Sequence, residues 1–255
     1  MRRINKAREQ LDDGRTIYCV TVEFPEPRLV EYAGYLGFDM VHVDGEHHGV
    51  SPETCYHLVR AADAAGMSSM VRVPVNTPDV MMAYAETGVD IITAPHVRTV
   101  QDAQDMIQAL HFPPRGTRGL SGYSRASHYG ARQQVTDYYA DIENRTMPMA
   151  LLEDAEAYDN IEDLAAVEGL QIYALGLSDL SASLGIPGQV TDPQVLTRRD
   201  RAMKVLADHG KVVALSSNNI SAQQEYARAG VQIVMSSMRA IIEQGAEQIL
   251  AARLA

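Results

Sequence analysis

The feature that most constrains the fold of this chain is a regular alternation of short apolar runs with amphipathic segments. Eight runs are rich in Val, Ile and other residues that favour strands, at residues 16–22, 40–43, 69–73, 91–94, 148–152, 172–176, 212–216 and 232–236. Each is followed by a helical pattern, at residues 27–37, 51–66, 77–88, 99–111, 160–169, 192–210, 221–230 and 238–254. Several of these patterns begin with Ser, Thr or Asp and end near Gly, which are residue types that cap helices.

This alternation predicts an α/β protein, a (β/α)8 barrel that forms a single domain over residues 1–255. The rival fold is an open doubly wound sheet, which needs fewer strands and usually a glycine-rich turn after the first strand; the sequence lacks that turn. The chain spends more than fifty residues between the fourth and fifth strands, including HFPPRGTRGLSGYSRASHYG at 111–130. A segment of that length in a compact domain is expected to serve function.

Composition narrows the classes of partner. The formal net charge of −11 disfavours binding to nucleic acid and to anionic membranes, but it does not exclude anionic small molecules. The two cysteines, Cys19 and Cys55, have no zinc-ligand spacing and suit a reducing compartment. The N-terminal MRRINKAREQ is too charged for a signal peptide, and no apolar run approaches the roughly 20 residues that span a bilayer. We therefore expect a cytoplasmic protein that acts on a small molecule.

Polar side chains follow the ends of most predicted strands. Because the active site of such a barrel lies at the carboxyl ends of its strands, we expect these groups to converge on one face. They are Glu23 after strand one, Asp44, Glu46, His47 and His48 after strand two, Arg72 in strand three, Glu153 and Asp154 after strand five, Ser178 and Asp179 after strand six, and Ser217, Asn218 and Asn219 after strand seven.

The types of these residues indicate a chemistry. Glu153 and Asp179 are two carboxylates on neighbouring strands, which suits a hard divalent cation, Mg²⁺ or Mn²⁺, with positions left open for substrate. Arg72 supplies a fixed positive charge for a carboxylate or a developing enolate. A histidine beside Asp44 can act as a general base that the acid orients.

Three of these residues also have an ordinary structural interpretation. An arginine within a strand, such as Arg72, is often half of a buried ion pair. Asp154 and Asp179 each precede or begin a helical stretch, so either could serve as a helix N-cap.

The histidines are likewise ambiguous. Of His47 and His48, at least one is expected to face solvent, because adjacent loop residues rarely point the same way. His42 alternates with valines and is interpreted as a packing residue of its strand. His96 and His128 are weaker candidates for the site.

Five motifs occur in a fixed order: DGEHHG at 44–49, MVRVPVNTP at 70–78, HFPPRGTRG at 111–119, LLED at 151–154 and GLSDLSASLG at 176–185. In order and spacing they resemble the HpcH/HpaI aldolase family, from about residue 15 to the final helix. That family comprises metal-dependent (class II) pyruvate aldolases such as 4-hydroxy-2-oxoheptanedioate aldolase. The resemblance implies a barrel of the phosphoenolpyruvate/pyruvate-binding type.

The resemblance also implies roles for the substrate- and metal-binding residues. A divalent metal is held by Glu153 and Asp179, with Mg²⁺ or Mn²⁺ preferred and Co²⁺ or Zn²⁺ as further options. The keto acid, pyruvate or oxaloacetate, chelates that metal, and its carboxylate meets the backbone N–H groups of Ser178 and Asp179. Arg72 steadies the enolate oxygen. The acceptor in the condensation direction is an aldehyde or a related electrophile.

The base-orienting pair implied by the resemblance is Asp44 and His47, with Glu46 supporting the loop. Because His48 precedes Gly49 and the start of a helix, we expect it to face solvent or a neighbouring subunit. The tight bend at Gly45 is expected to bring His47 back over the end of strand two. Family members are commonly hexamers in which the last helix is exchanged between barrels. The sequence therefore predicts a homo-oligomer, with a hexamer as the expected form.

Three departures from the family pattern affect the expected substrate. Leu151 stands where Gln is usual, Leu177-Ser178 replaces Pro-Ala before the aspartate, and SSNN at 216–219 replaces an apolar stretch. The main functional prediction is a carbon–carbon lyase acting on 4-hydroxy-2-oxo acids. The alternatives are a relative that uses oxaloacetate, by decarboxylation or by a citrate-synthase-like or macrophomate-synthase-like condensation, and a non-catalytic barrel that binds an oxo acid.

Overall fold

The computed structural model describes residues 5–131, 134–142 and 145–253. Eight parallel strands form a closed barrel in sequence order, and β1 pairs with β8 to close the ring. The strands are β1 Ile17–Thr21, β2 Met40–Asp44, β3 Ser68–Arg72, β4 Ile91–Ala94, β5 Met147–Leu152, β6 Ile172–Leu175, β7 Val212–Ser216 and β8 Ile233–Ser237. The predicted (β/α)8 barrel is confirmed, and every predicted strand overlaps an observed one.

Helices cover the outside of the barrel, and the predicted ones are all present with boundaries shifted by a few residues. The α-helices are α1 Lys6–Asp12, α2 Pro27–Tyr35, α3 Pro52–Ala64, α4 Pro78–Ala85, α5 Val100–Leu110, α6 Val135–Ala140, α7 Ala155–Asp159, α8 Ile161–Ala165, α9 Leu177–Ser183, α10 Pro193–Asp208, α11 Ile220–Arg228 and α12 Met238–Ala251. A 3₁₀ helix spans Arg125–Gly130. The sequence predicts α7 and α9 only as stretches that Asp154 and Asp179 could cap, and it does not predict α1, α6 or the 3₁₀ turn, because each holds too few residues to show a clear period.

Local sequence explains where the main helices begin. Four of them, α2, α3, α4 and α10, start with a proline, whose fixed φ suits the first turn and whose missing N–H costs nothing there. The side chains of Ser51 and Asp192 accept the first free N–H groups of α3 and α10. Thr99 and Asp102 form a reciprocal capping box at the start of α5. Among the described residues no helix is long and apolar enough to cross a membrane.

The barrel has two apolar regions. The larger lies between the strands and the surrounding helices. The smaller fills the barrel's interior with side chains that include Ile17, Met40, Met70 and Ile91. Because these packed side chains fill the interior, we expect ligands to bind at the end of the barrel where the strands finish.

His42 lies inside the barrel at the floor of the open end. Its ring is 8% exposed, and Nδ1 lies 3.0 Å from Oγ1 of Thr21. Burial disfavours the charged ring and lowers its pKa to about 4. The ring is therefore neutral at neutral pH, and the expectation that His42 is a packing residue agrees with its buried position.

We predict that His42 makes the fold acid-sensitive. Below pH 6.5, the ordinary pKa of histidine, His42 binds a proton in the unfolded chain but not in the folded barrel. The stability of the fold therefore falls as the pH drops toward about 4. Between about pH 7 and about pH 4 the unfolding free energy of the wild type should fall by about 3 kcal/mol more than that of His42→Gln. Urea denaturation at both pH values measures the difference. His57→Gln, which removes an exposed histidine of α3, is the control; equal acid sensitivity in wild type and His42→Gln would contradict the prediction.

Candidate active site

A cavity of about 770 Å³ opens at the carboxyl ends of the strands. Its lining includes residues at the ends of all eight strands, and the residues that the sequence predicted come from six of them. The lining residues that the sequence singled out are Glu23, Asp44, His47, His48, Arg72, Glu153, Ser178, Asp179, Ser217, Asn218 and Asn219. The cavity has both a charged side and an apolar wall, to which Leu151 and Leu177 contribute.

Arg72 is held in place by two carboxylates. Its Nε and Nη2 atoms donate to Oδ1 and Oδ2 of Asp44, at 3.0 and 2.7 Å, and Nη1 lies 2.8 Å from Oε2 of Glu46. Asp44 and Arg72 are direct neighbours across β2 and β3, so the register of the sheet sets this planar pair. The guanidinium has five N–H groups, and these contacts leave two that no carboxylate of the described chain engages.

Asp44 is the anion on which this arrangement rests. It is 2% exposed, and the backbone N–H groups of Glu46 and His47 also donate to its Oδ1, at 3.0 and 3.4 Å. Burial opposes ionisation of the carboxyl, but the hydrogen bonds and charge of Arg72 outweigh that cost and lower its pKa to about 2. Arg72 is therefore ion-paired, as its structural interpretation expects, and it also lines the cavity, where its functional role stays a prediction.

The two loop histidines are placed differently from the expectation. The ring of His48, and not that of His47, lies beside Asp44, with Nδ1 3.2 Å from Oδ2, although the angle is not that of a hydrogen bond. The side chain of His47 is 61% exposed, and its Nε2 lies 3.8 Å from Oε2 of Glu46. The ring pairing of Asp44 with His47 that the sequence predicts is not formed here: both oxygens of Asp44 accept from Arg72, and Oδ1 also accepts from the loop backbone. That His48 faces solvent or a neighbouring subunit stays a prediction, and its side chain is 30% exposed.

Glu153 is a buried carboxylate with an adjoining acid. It is 2% exposed, and its Oε1 accepts the backbone N–H of His96 at 2.9 Å. Burial, with a smaller contribution from the charge of Asp179, raises the pKa of Glu153 to about 7 against the opposing effects of His96 and Arg72. Gly176 leaves room for this side chain, because a methyl group there would lie 2.7 Å from Cβ of Glu153 and 3.3 Å from Oε2.

These two carboxylates fit a hard cation. The charge of Asp179 raises the pKa of the buried Glu153, and a divalent ion between the two carboxylates would relieve that repulsion. Among the described residues no group of three or more His, Cys, Asp or Glu side chains could enclose a metal, so Glu153 and Asp179 would bind an ion that keeps several positions for water or substrate. That coordination is typical of Mg²⁺ and Mn²⁺, whereas Zn²⁺ usually takes at least three His, Cys or carboxylate ligands.

Neither of the two aspartates considered as helix caps makes a side-chain capping hydrogen bond. Asp154 is the N-cap residue of α7, but its side chain makes no capping bond and instead meets Nε of Arg98 and Nδ1 of His96, each at 2.9 Å. Gly176 is the N-cap residue of α9, which leaves Asp179 in the first turn with its side chain free to line the cavity.

Comparison with known proteins agrees with this arrangement. The model of the HpcH/HpaI aldolase/citrate lyase family matches residues 21–241, most of the chain and every cavity residue discussed above. The chain belongs to the HpcH/HpaI aldolase/citrate lyase family. It is therefore an enzyme, a carbon–carbon lyase of the aldolase type.

Individual family members are similar over nearly their whole length. The hydroxypyruvate/pyruvate aldolase of Roseobacter denitrificans is 28% identical over 237 residues, which cover 92% of this chain and 91% of that protein. A HpcH/HpaI aldolase/citrate lyase family protein from Burkholderia cenocepacia is 25% identical with a TM-score of 0.93, over 98% of this chain and 100% of that one. The citrate synthase SbnG is 28% identical with a TM-score of 0.87, over 98% of this chain and 97% of that one.

Two residues at or near the cavity are not singled out by the main sequence argument. His96 lies just after β4, beyond Pro95, so the strand-end rule that predicts Glu153 extends to it, but the sequence makes it only a weaker candidate. Arg199 lines the cavity from the middle of α10, where its Nε donates to Oδ1 of Asp200 at 2.8 Å. No strand end lies near Arg199 in sequence, so the sequence pattern carried no signal for it.

Proposed function

We propose that this enzyme is a divalent-metal-dependent aldolase that cleaves or forms 4-hydroxy-2-oxo acids through the enolate of a 2-oxo acid such as pyruvate. One observation carries the proposal: the buried Glu153, next to Asp179, lines the same cavity as the guanidinium of Arg72. Two carboxylates for a cation and one fixed positive charge are what a developing enolate and its parent oxo acid require.

Glu153 and Asp179 would hold the cation, with Mg²⁺ or Mn²⁺ favoured by the all-oxygen ligand set. When bound, the ion would act as a Lewis acid toward the oxo acid's oxygens. On the protein side, Arg72 would direct its two remaining N–H groups at the 2-oxo oxygen as negative charge develops there. The N–H groups of Ser178 and Asp179, in the first turn of α9, have no intrahelical acceptor and would bind the substrate carboxylate.

His47 would move the proton in this reaction. In the cleavage direction its ring takes the proton of the 4-hydroxyl, the C3–C4 bond breaks, and the electron pair passes to the enolate that Arg72 stabilises. The same histidine then returns the proton to C3, which gives the 2-oxo acid and the aldehyde. Glu46, 3.8 Å from Nε2 of His47, is the acid best placed to orient the ring, while Asp44 acts by positioning Arg72.

A second candidate is a citrate-synthase-like reaction on oxaloacetate. It is favoured by the 28% identity to citrate synthase SbnG and by Arg199, whose charge would suit an additional carboxylate of substrate or acceptor. Leu151, on the apolar wall, removes the polar contact expected of the ordinary substrate.

We also propose that residues 1–255 form one barrel domain that works in the cytoplasm as a homo-oligomer, with a hexamer expected. The free thiols of Cys19 and Cys55, both buried, suit a reducing compartment. Helix α12 supports the oligomer: it buries Met238 and Ala240 at its start but exposes Ile241, Ile242, Ile249 and Leu250, which would be covered if the helix packed on a neighbouring barrel.

The proposed function predicts metal-dependent turnover that needs Glu153. Purified enzyme treated with EDTA should lose aldol cleavage and condensation of pyruvate with short aldehydes, and Mn²⁺ or Mg²⁺ should restore them. Glu153→Gln should lower the rate by roughly 100-fold or more and weaken Mn²⁺ binding, because it removes a ligand charge. The control is Glu156→Gln, an exposed residue of α7. Full activity in EDTA would contradict the proposal, and activity on oxaloacetate without any on 4-hydroxy-2-oxo acids would favour the second candidate.

Paired substitutions test which histidine moves the proton. His47→Ala should slow aldol cleavage by roughly 100-fold or more and leave Mn²⁺ affinity nearly unchanged, because the ring acts as general base and not as a ligand. His48→Ala should cost much less. Decarboxylation of oxaloacetate, which needs no hydroxyl deprotonation, should suffer less than cleavage in His47→Ala. The reverse ranking of the two histidines would assign the base to His48, whose ring lies beside Asp44.

A further inference from the structure

His96, at the end of β4, adopts a backbone conformation that is unusual for its residue type. Its φ is 52°, in the left-handed region that side chains other than glycine seldom enter. Such conformations persist only where neighbouring contacts hold them, and they concentrate at functional sites. The contacts of His96 all lead to the charged side of the cavity.

The left-handed turn aims one backbone group at Glu153. The N–H of His96 donates to Oε1 of Glu153 at 2.9 Å. With Oε1 fixed, Oε2 is turned toward Gly176, at the start of the segment that carries Asp179. The buried carboxylate is thus hydrogen-bonded to the peptide of a residue that follows the neighbouring strand β4.

The ring of His96 also lies beside Glu153, with Nδ1 3.5 Å from Oε1. Its Nδ1 lies 2.9 Å from Oδ2 of Asp154, which Arg98 also contacts, and its Nε2 lies 3.8 Å from Oε1 of Glu46. The ring thereby links the loop after β2 with the end of β5. His96 itself is not among the described residues that line the cavity, so its proposed role is to act through Glu153.

We propose that His96 is a positioning residue: its left-handed peptide fixes Glu153 in the orientation that binds the divalent cation, and its ring contacts keep the peptide in that conformation. The inference rests on the proposed metal site and names a residue outside the ligand set on which metal affinity depends. The proposal predicts that metal affinity depends on how well the residue at position 96 tolerates a positive φ, and not on the charge or size of its side chain.

The test is Mn²⁺ titration by calorimetry, without substrate, on the full chain and three variants. His96→Gly and His96→Asn both tolerate the left-handed conformation, so each should bind Mn²⁺ within about threefold of wild type. His96→Ala disfavours that conformation and should bind about tenfold more weakly. If His96→Ala does not fold, His96→Gln, which disfavours positive φ as well, takes its place. Gly14→Ala is the matched control, since it places a methyl group at a φ of 69° in open space near β1, away from the cavity; it should lower stability and leave Mn²⁺ affinity unchanged.

Two results would overturn the proposal. One is equal Mn²⁺ affinity in His96→Ala and wild type, and the other is equal weakening in the glycine and alanine variants, which would give the effect to the ring alone. Glu153→Gln in the same titration separates this inference from the metal site itself. If Glu153→Gln weakens binding and His96→Ala does not, the positioning role fails alone; if Glu153→Gln also binds normally, the metal site fails.

Discussion

The site depends on the planar ion pair between Asp44 and Arg72 at adjacent positions of β2 and β3. A guanidinium that is partly buried at the mouth of the barrel needs carboxylates to offset its desolvation, and Asp44 and Glu46 supply them. The same contacts fix the direction of its remaining N–H groups. The carboxylates thus both stabilise the buried positive charge and orient the donors that carry it. An enolate oxygen formed in this cavity would meet a donor that needs no reorganisation.

Glu153 presents the complementary problem. It is a buried acid that no arginine or lysine contacts directly in the described chain, and its pKa is raised to about 7 by burial first and by Asp179 next. In an ordinary core such an unpaired carboxylate would destabilise the fold, and a hydrophobic residue would be more stable there. A divalent cation removes the cost, because it replaces the missing positive charge and relieves the repulsion from Asp179. The guanidinium of Arg72 and a cation held by the two carboxylates would then both attract the same anionic substrate.

The fold and the membership of the cavity could be predicted from sequence because both follow from periodic rules. Strand periodicity located β1 to β8, and the convergence of strand ends placed Glu153, Asp179, Arg72 and Asp44 on one face. The directions of single loop side chains follow no such rule. Asp44 pairs with Arg72 instead of His47 because a guanidinium on the adjacent strand competes for its oxygens, and a contact across strands is invisible in a local motif. The turn at His96 is likewise set by carboxylates that are distant in sequence, and Arg199 reaches the cavity from a helix.

The most direct measurement is a crystal structure of the enzyme with Mn²⁺ and oxalate, a planar dianion that resembles the pyruvate enolate, with anomalous data collected at the manganese edge. We expect one manganese peak between the carboxylates of Glu153 and Asp179, with oxalate bound to it and one oxalate oxygen in contact with the guanidinium of Arg72. A manganese peak away from these two carboxylates, or oxalate bound without contact to Arg72, would contradict the proposed site.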